Sequence, residues 1–410
     1  MIKLTMRVTL LYGTYTRLVH AHAGRTQILK DLLLEIFSEL RVEDHFAAEG
    51  RCYAHRSGFP PGSIEVRAGG TENDTSIAFY PAGILEKSAR EKFKADPANA
   101  PLLEVIAWRL NSELRALGMP HIIAKRGGLS TIDLVTSDKG VALGEIRSRF
   151  LQNNELLIFI GDRIALNGND VEAIEVADIS IQVGNEWDPQ LFPPGSRTLL
   201  CSKQAASEGG SADYIRAATS LRRLGMAGIL APDSVVTGNG HASATTVAVE
   251  NILDCTTTGQ PEVQVEVSVL IADARQMAHH LATNANTLSA PDKLQLANDL
   301  SRILSQIPDS DPHFEQDPFS QYEMQILKRV VAGGTPVIAS DLKDTLAVFD
   351  SDRVEWFPGA YDAFVEALRS GPYFLMTGDS SVNVMNRFLL PADIISSEGN
   401  ELKNLSAWHT

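Results

Sequence analysis

The chain is short of cysteine and of long apolar runs, and each shortage excludes a class of protein. Its three cysteines, Cys52, Cys201 and Cys255, are far apart and form no CxxC pair. We therefore expect no disulfide framework and a reducing compartment. No apolar run is long enough to span a bilayer, and the N-terminus lacks a small-residue cleavage site after a long apolar region. These absences predict a cytoplasmic protein with no membrane partner.

Positive charge is also scarce. The 51 acidic residues outnumber the 36 basic ones, which gives a formal net charge of -15. Because nonspecific nucleic-acid binding needs a positive face that displaces counterions, we expect no nucleic-acid partner. An apolar content of 44% and a charged content of 21% are typical of a globular protein, and 410 residues are enough for about two or three domains.

Helix and strand patterns alternate in the first third of the chain. Apolar residues recur at helical spacing in residues 27–40 and 101–117. Short strand patterns occupy residues 8–12, 63–67, 76–80 and 132–135. This mixture predicts a small α+β domain over residues 15–135.

The remaining chain contains short, continuous apolar runs, which are typical of parallel strands buried on both faces. They occupy residues 156–161, 179–183, 197–201, 337–340 and 373–376. We expect an α/β core with a doubly wound parallel sheet, built from residues 136–225 and 331–410. The segment 226–330 is expected to connect the two core parts and to be partly helical, with a helix after Ser289 and a polar linker at residues 307–318.

Polar residues follow three of the predicted strands. Asp162, Asp341 and Thr377 each stand where an apolar run ends, and the carboxyl ends of parallel strands form the ligand-binding edge of an open sheet. Asp341 is a candidate nucleophile, and with Asp162 it could hold Mg²⁺. Lys139, the Thr377 hydroxyl and the Gly378 amide could stabilise phosphoryl oxygens.

These residues resemble the four motifs of the haloacid dehalogenase (HAD) phosphatase superfamily, in circularly permuted order. The first motif corresponds to Asp341 with Thr345 and the second to Thr377. The third corresponds to Lys139, and the fourth to Asp162 with Asn169 and Asp170. The resemblance implies a HAD-like Rossmannoid core with a smaller α+β cap over residues 15–135. It also implies a Mg²⁺ site formed by Asp341, Asp162 and Asp170.

One branch of that superfamily is more similar than the others. The stretch PPGSIEVRAGG at residues 60–70, and Gly127, Gly128 and Asp133, resemble the sugar-binding cap (type IIB) of eukaryotic phosphomannomutases. This likeness implies a phosphorylated small-molecule substrate, such as a sugar phosphate. Substrate contacts are then expected from Arg67, Asp133, Asn169 and Gly378, although Arg67 and Asp133 are equally consistent with a surface strand and a turn.

The first motif departs from the family at one position. Lys343 stands where the family has its acid/base aspartate, and Asp344 follows one residue later. One expectation is that Lys343 lies beside Lys139 and pairs with Asp341. The sequence therefore supports two functions: a Mg²⁺-dependent phosphatase with Lys343 in its catalytic set, or an impaired relative that binds a sugar phosphate or a protein partner.

Two further alternatives remain open at the level of sequence. The chain could be an unrelated α/β protein whose motifs arose by chance. It could also exchange halves with a second chain, and a homodimer is one candidate oligomer.

Overall fold

The computed structural model describes residues 8–12, 31–32, 34–35, 39, 64–68, 75–80, 83, 87–120, 122–127, 130–135, 139–165, 168, 170–184, 198–226, 266–350 and 353–377. The chain divides into two compact units, one formed by Met1–Ser220 with Pro336–Thr410, and the other by Leu221–Thr335. In the described ranges, no helix combines the length and the hydropathy that crossing a bilayer requires.

The first unit contains a six-stranded sheet. Its strands are β1 (Val8–Tyr12), β6 (Glu155–Gly161), β7 (Ile179–Gln182), β8 (Thr198–Cys201), β9 (Thr335–Asp341) and β12 (Tyr373–Thr377). They lie in the order β1-β12-β9-β6-β7-β8, so strands distant in sequence, β9 and β6, are neighbours at the centre. The pairs β1–β12, β12–β9, β6–β7 and β7–β8 are parallel. The α/β class and the parallel sheet expected from the sequence are confirmed.

The sheet includes one strand from outside the two core segments expected from the sequence. β1 precedes the predicted α+β domain and pairs with β12 along its whole length. The central strands are largely apolar, and six consecutive residues of β6 and of β9 are buried. The core between them also includes Leu143 and Ile146 from the helix Lys139–Phe150.

A second, antiparallel sheet occupies part of residues 15–135. Its strands β2 (Ile64–Ala68), β3 (Thr75–Phe79), β4 (Ile123–Gly127) and β5 (Thr131–Val135) lie in the order β2-β3-β5-β4. Alternate residues of the strands pack with the helices α1 (Lys87–Ala95) and α2 (Asn99–Ala116), and Phe79, Phe93 and Leu110 are completely buried. Asp31, Leu32, Leu34, Glu35 and Glu39, the described positions of the helix predicted at residues 27–40, are helical.

The other helices follow in chain order. They are α3 (Lys139–Phe150), α4 (Gly210–Met226), α5 (Val267–Thr283), α6 (Ala290–Gln306), α7 (Pro312–Gln316), α8 (Pro318–Val331) and α9 (Ala360–Ser370). Single 3₁₀ turns lie at Val171–Glu175 and Ala206–Glu208. A short antiparallel hairpin, β10 (Ala347–Asp350) with β11 (Arg353–Trp356), directly follows the turn after β9.

The described elements of the second unit are helices, apart from Thr335, the first residue of β9. Ser289 caps α6, as predicted, because its side chain accepts a hydrogen bond from the Asp292 amide. The polar stretch at residues 307–318, predicted to be a linker, instead contains α7 and the start of α8. Asp311 and Asp317 cap these two helices, and a proline occupies the first turn of each, where its missing N–H carries no penalty.

Candidate active site

The site begins at the carboxyl ends of the two central strands. Asp341 is the last residue of β9, and Asp162 directly follows β6. The chain continues from β6 to β7 and β8 towards one edge of the sheet, and from β9 to β12 towards the other edge. Such a reversal of strand order opens a crevice at the carboxyl edge, where ligands bind in open α/β sheets.

Three carboxylates converge in this crevice. One oxygen from each of Asp162, Asp170 and Asp341 lies within 4.8 Å of the other two. Asp170 is completely buried, Asp341 is 7% exposed, and the Asp162 side chain is 13% exposed. Buried carboxylates at such short range repel each other unless cations or protons compensate their charge.

Lys139 supplies part of this compensation. Lys139 is the first residue of α3 and is 2% exposed. Its Nζ donates a hydrogen bond to Asp170 Oδ1. It also lies 2.7 Å from Asp341 Oδ2. The second oxygen of Asp341 accepts the amide N–H of Leu342 at 2.8 Å. Asp341 is therefore held in one orientation from both sides.

Burial and the remaining charge imbalance raise two pKa values. Burial, the largest influence, and the charges of Asp170 and Asp341 together raise the pKa of Asp162 to about 8 against the opposing effects of Lys139 and Arg163. Burial likewise raises the pKa of Asp341 to about 6, opposed first by Lys139. Three carboxylates thus face one buried ammonium, and the site favours an additional positive charge.

The residues fit a hard divalent cation. Asp170 Oδ2 is buried and accepts no hydrogen bond from any residue that the structure describes. An unsatisfied buried carboxylate oxygen is costly, and oxygen ligands are those that Mg²⁺ prefers. Asp162, Asp170 and Asp341 could therefore hold a hard divalent cation such as Mg²⁺.

The loop between Asp162 and Asp170 is fixed by its own backbone and by β7. The Asp170 amide donates to the Arg163 carbonyl at 3.0 Å, and a side chain at Gly168 would overlap that same carbonyl. Gln182, which is 1% exposed, accepts the amide N–H groups of Ile164 and Ala165 through Oε1, each at 3.1 Å. Gln182 was not singled out from the sequence, because its role depends on strand pairing that brings the end of β7 beside Gly161.

Close approach also requires a glycine at the end of β6. A Cβ built on Gly161 would overlap Asp170 Oδ2 and lie 2.9 Å from the Phe159 ring. Only glycine leaves room for the Asp170 carboxylate beside the strand.

Lys343 does not form the expected ion pair with Asp341 among the described residues. The chain leaves β9 through a helical turn, in which the Leu346 amide donates to the Leu342 carbonyl at 2.9 Å. This turn leaves Lys343 exposed, and no ion pair joins it to a carboxylate among the described residues. The cation that pairs with Asp341 is Lys139. Asp344 is also exposed, and its φ of 61° places it in the left-handed region.

Other predicted residues are located through the backbone alone or lie outside the described residues. Thr377 is the last residue of β12, one position beyond Met376, which pairs with Asp341. Arg67 lies in β2 opposite Ser76. Gly378 and Asn169 lie outside the described residues.

Asp133 lies on β5 between Ala78 and Lys125 in the antiparallel sheet. Its carboxylate lies over Gly127, where a side chain would overlap it. Lys125 connects this sheet to the carboxylate loop, because its Nζ lies 3.3 Å from Glu172, two residues after Asp170. Lys125 and Glu172 could not be selected from local sequence, since their contact joins residues 47 positions apart.

The chain was compared with protein-family models, with curated proteins and with solved structures, and none of the three comparisons returned a match.

Proposed function

We propose that the chain is a Mg²⁺-dependent phosphatase that acts on a small phosphorylated metabolite, such as a sugar phosphate. The observation that carries the proposal is the convergence of Asp162, Asp170, Asp341 and Lys139 at the carboxyl ends of two central strands. Phosphoryl transfer depends mainly on positioning and charge stabilisation, and this group supplies carboxylates for a cation beside a fixed ammonium.

In the proposed reaction, an oxygen of Asp341 attacks phosphorus, and the bond between phosphorus and the ester oxygen breaks. The leaving oxygen takes up a proton, and an acyl phosphate forms on Asp341. Water then attacks the same phosphorus, releasing phosphate and restoring the carboxylate. Lys139 orients Asp341 throughout and offsets negative charge as it develops.

The chain order supports a circularly permuted HAD-like core. Counted from β9 as the first strand, the spatial order of the sheet becomes 3-2-1-4-5-6, with β12 second, β1 third and β6 fourth. This is the order of a doubly wound sheet. The antiparallel sheet then falls between the third and fourth strands, as a cap inserted into the core. The strand order and the inserted antiparallel sheet support the proposed likeness of this unit to a HAD core with a cap.

A second function rests on Lys343. A charged lysine can protonate a leaving oxygen, but it has no lone pair with which to accept a proton from water. The second step is therefore the one that this residue impairs. In that case the chain would bind a phosphorylated ligand, or a partner, without releasing phosphate.

Measuring the two steps separately tests both functions. Phosphate release from a panel of sugar phosphates would be followed with Mg²⁺ and with EDTA, and acyl phosphate would be detected by intact mass after acid quenching. The phosphatase proposal predicts Mg²⁺-dependent release that Asp341→Asn abolishes. Asp213→Asn is the matched control, because Asp213 is exposed on α4 and forms only a surface ion pair with Arg216 among the described residues.

Lys343→Asp distinguishes the two functions. If the unaltered chain only accumulates acyl phosphate or binds ligand, and Lys343→Asp releases phosphate, the chain is a binding protein with a silenced second step. Phosphate release that survives in Asp341→Asn would reject the nucleophile and the phosphatase proposal with it.

A further inference from the structure

The helix α4 contacts the turn that follows the proposed nucleophile. Ser211, the second residue of α4, is completely buried, and its Oγ donates a hydrogen bond to the Thr345 carbonyl. Thr345 lies four residues after Asp341 and 134 residues after Ser211. The first turn of α4 is therefore attached to the segment that leaves β9, by a contact that the tertiary structure alone creates.

A second contact from α4 reaches the far end of the same segment. Arg216 Nη2 donates a hydrogen bond to the Gly359 carbonyl at 3.2 Å, and Gly359 directly precedes α9. The hairpin of β10 and β11 lies between Thr345 and Gly359. Two side chains of one helix thus hold both ends of the segment that contains the hairpin, and Ser211 holds the end nearer to Asp341.

The turn itself is closed by backbone hydrogen bonds. The Leu342 carbonyl accepts the amide N–H of Leu346 at 2.9 Å and that of Ala347 at 3.1 Å. Leu342, Thr345 and Leu346 are completely buried. The Thr345 hydroxyl has no hydrogen-bond partner among the described residues, so this side chain does not secure the turn through a hydrogen bond. The Thr345 carbonyl, in contrast, is satisfied by the Ser211 hydroxyl.

The conformation of this turn sets the orientation of Asp341. The Leu342 amide donates to Asp341 Oδ1 at 2.8 Å, while Oδ2 of the same carboxylate lies 2.7 Å from Lys139 Nζ. Without the Ser211 hydroxyl, the Thr345 carbonyl would be buried and unsatisfied, which is costly. Rotation of the peptide groups of the turn would relieve that cost, and the Leu342 amide would move with them.

We propose that Ser211 is a positioning residue for Asp341 and that it acts through the turn at residues 342–346. Its hydroxyl fixes the Thr345 carbonyl, which keeps the turn closed. The closed turn in turn keeps the Leu342 amide on Asp341 Oδ1. The effect on turnover rests on the proposed function, whereas the effect on the turn does not.

Amide hydrogen exchange tests the turn without any reaction. Exchange is followed by mass spectrometry of peptides, in EDTA, for the unaltered chain and for Ser211→Ala. We expect the amides of residues 342–347 to exchange about tenfold faster in the variant. Ser370→Ala is the matched control, because Ser370 is a buried serine of α9 whose Oγ donates to the Ala367 carbonyl at 2.9 Å. It loses the same kind of hydrogen bond and should leave the exchange of residues 342–347 unchanged.

Steady-state kinetics tests the effect on the nucleophile. We expect Ser211→Ala to lower kcat about tenfold or more with KM nearly unchanged, because a misoriented nucleophile slows the chemical step and not binding. Arg216→Gln is the second control, since it removes a hydrogen bond from the same helix to the far end of the same segment and should leave kcat unchanged. Ser211→Thr keeps a hydroxyl and should retain both the slow exchange and most of kcat.

Faster exchange of residues 342–347, together with a fall in kcat that is confined to Ser211→Ala, supports the inference. Unchanged exchange of these residues in Ser211→Ala, or an equal fall in kcat in Arg216→Gln or Ser370→Ala, would overturn it. If the unaltered chain releases no phosphate from any ester, the proposed function has failed. The exchange measurement then still decides whether Ser211 holds the turn beside Asp341.

Discussion

Divalent cation binding to the three carboxylates should strengthen steeply between pH 6 and pH 8. The cation binds ionised carboxylates, whereas the pKa of Asp162 is about 8 and that of Asp341 is about 6. At pH 6, about one Asp162 in a hundred and about half of Asp341 are ionised, and at pH 8 about half of Asp162 and nearly all of Asp341 are. The doubly ionised population therefore rises about 100-fold, and the apparent Kd should fall by about the same factor.

The assay is calorimetric titration of Mg²⁺, repeated in buffers with different ionisation enthalpies. At pH 7 the two groups together should release about one proton for each cation bound. Asp162→Asn is the critical variant. It should bind more weakly, and its remaining dependence on pH, due to Asp341 alone, should be only about twofold over the same range. The reasoning would be refuted by a Kd that is equal at pH 6 and pH 8, or by an unchanged slope in Asp162→Asn.

The same pKa values set the sign of the stability change in the metal-free protein. Both carboxyls have folded-state pKa values above the ordinary value of 3.8, so the folded state holds these protons more tightly than the unfolded state. Their contribution to stability is complete below about pH 4 and is lost as pH rises through about 6 and 8. Added cation should therefore raise the Tm most at high pH, where it replaces the missing protons.

Three substitutions probe the local structure of the site by urea unfolding. Gly161→Ala should lower the free energy of unfolding by about 1–3 kcal/mol and weaken Mg²⁺ binding, because the added methyl group overlaps the Asp170 carboxylate. Gly144→Ala is the control. Its methyl group meets no atom within 4 Å, so it should stabilise its helix by about 0.5–1 kcal/mol. If both alanines cost the same, overlap at the strand end is not the cause. Gln182→Leu should lower the free energy of unfolding by about 1–3 kcal/mol for each of the two amides that it leaves unpaired, and it should weaken Mg²⁺ binding. Unchanged stability would show that the loop keeps its conformation without these hydrogen bonds. Asp344→Gly should raise the free energy of unfolding by up to about 1 kcal/mol, because glycine adopts a φ of 61° without strain. Turnover is the second readout. A loss of stability would contradict the left-handed conformation of Asp344.

Some features followed from local sequence because their causes are local. The apolar runs before Asp162 and Asp341 form buried strands, since such runs cannot remain solvated at low cost. Ser289 starts a helix because its side chain accepts the hydrogen bond of an amide that the helix cannot satisfy. Asp162 and Asp341 were selected because they follow such runs, and Lys139 and Asp170 because of the resemblance to the HAD motifs. The structure brings these four residues together.

The linker predicted at residues 307–318 was wrong for a cause that is also local, because two aspartate caps and two prolines start helices there. Other features required the tertiary structure. Lys343 was expected to pair with Asp341, but the Lys343 side chain is exposed after the helical turn, and Lys139, about two hundred residues earlier, forms the ion pair with Asp341. The role of Gln182 could not be identified from the sequence, because its side chain accepts hydrogen bonds from the backbone amides of a loop about 17 residues earlier in the chain.

The sequence by itself determined which short segments become strands and which residue types stand at their ends, because burial and capping act over a few neighbouring positions. Only the tertiary structure decided that β1 joins β12, that β6 and β9 lie side by side, and that Lys125 reaches Glu172. It also set the pKa values of Asp162 and Asp341, since desolvation and charge proximity are properties of the assembled crevice. Those long-range contacts convert four separate residues into one site.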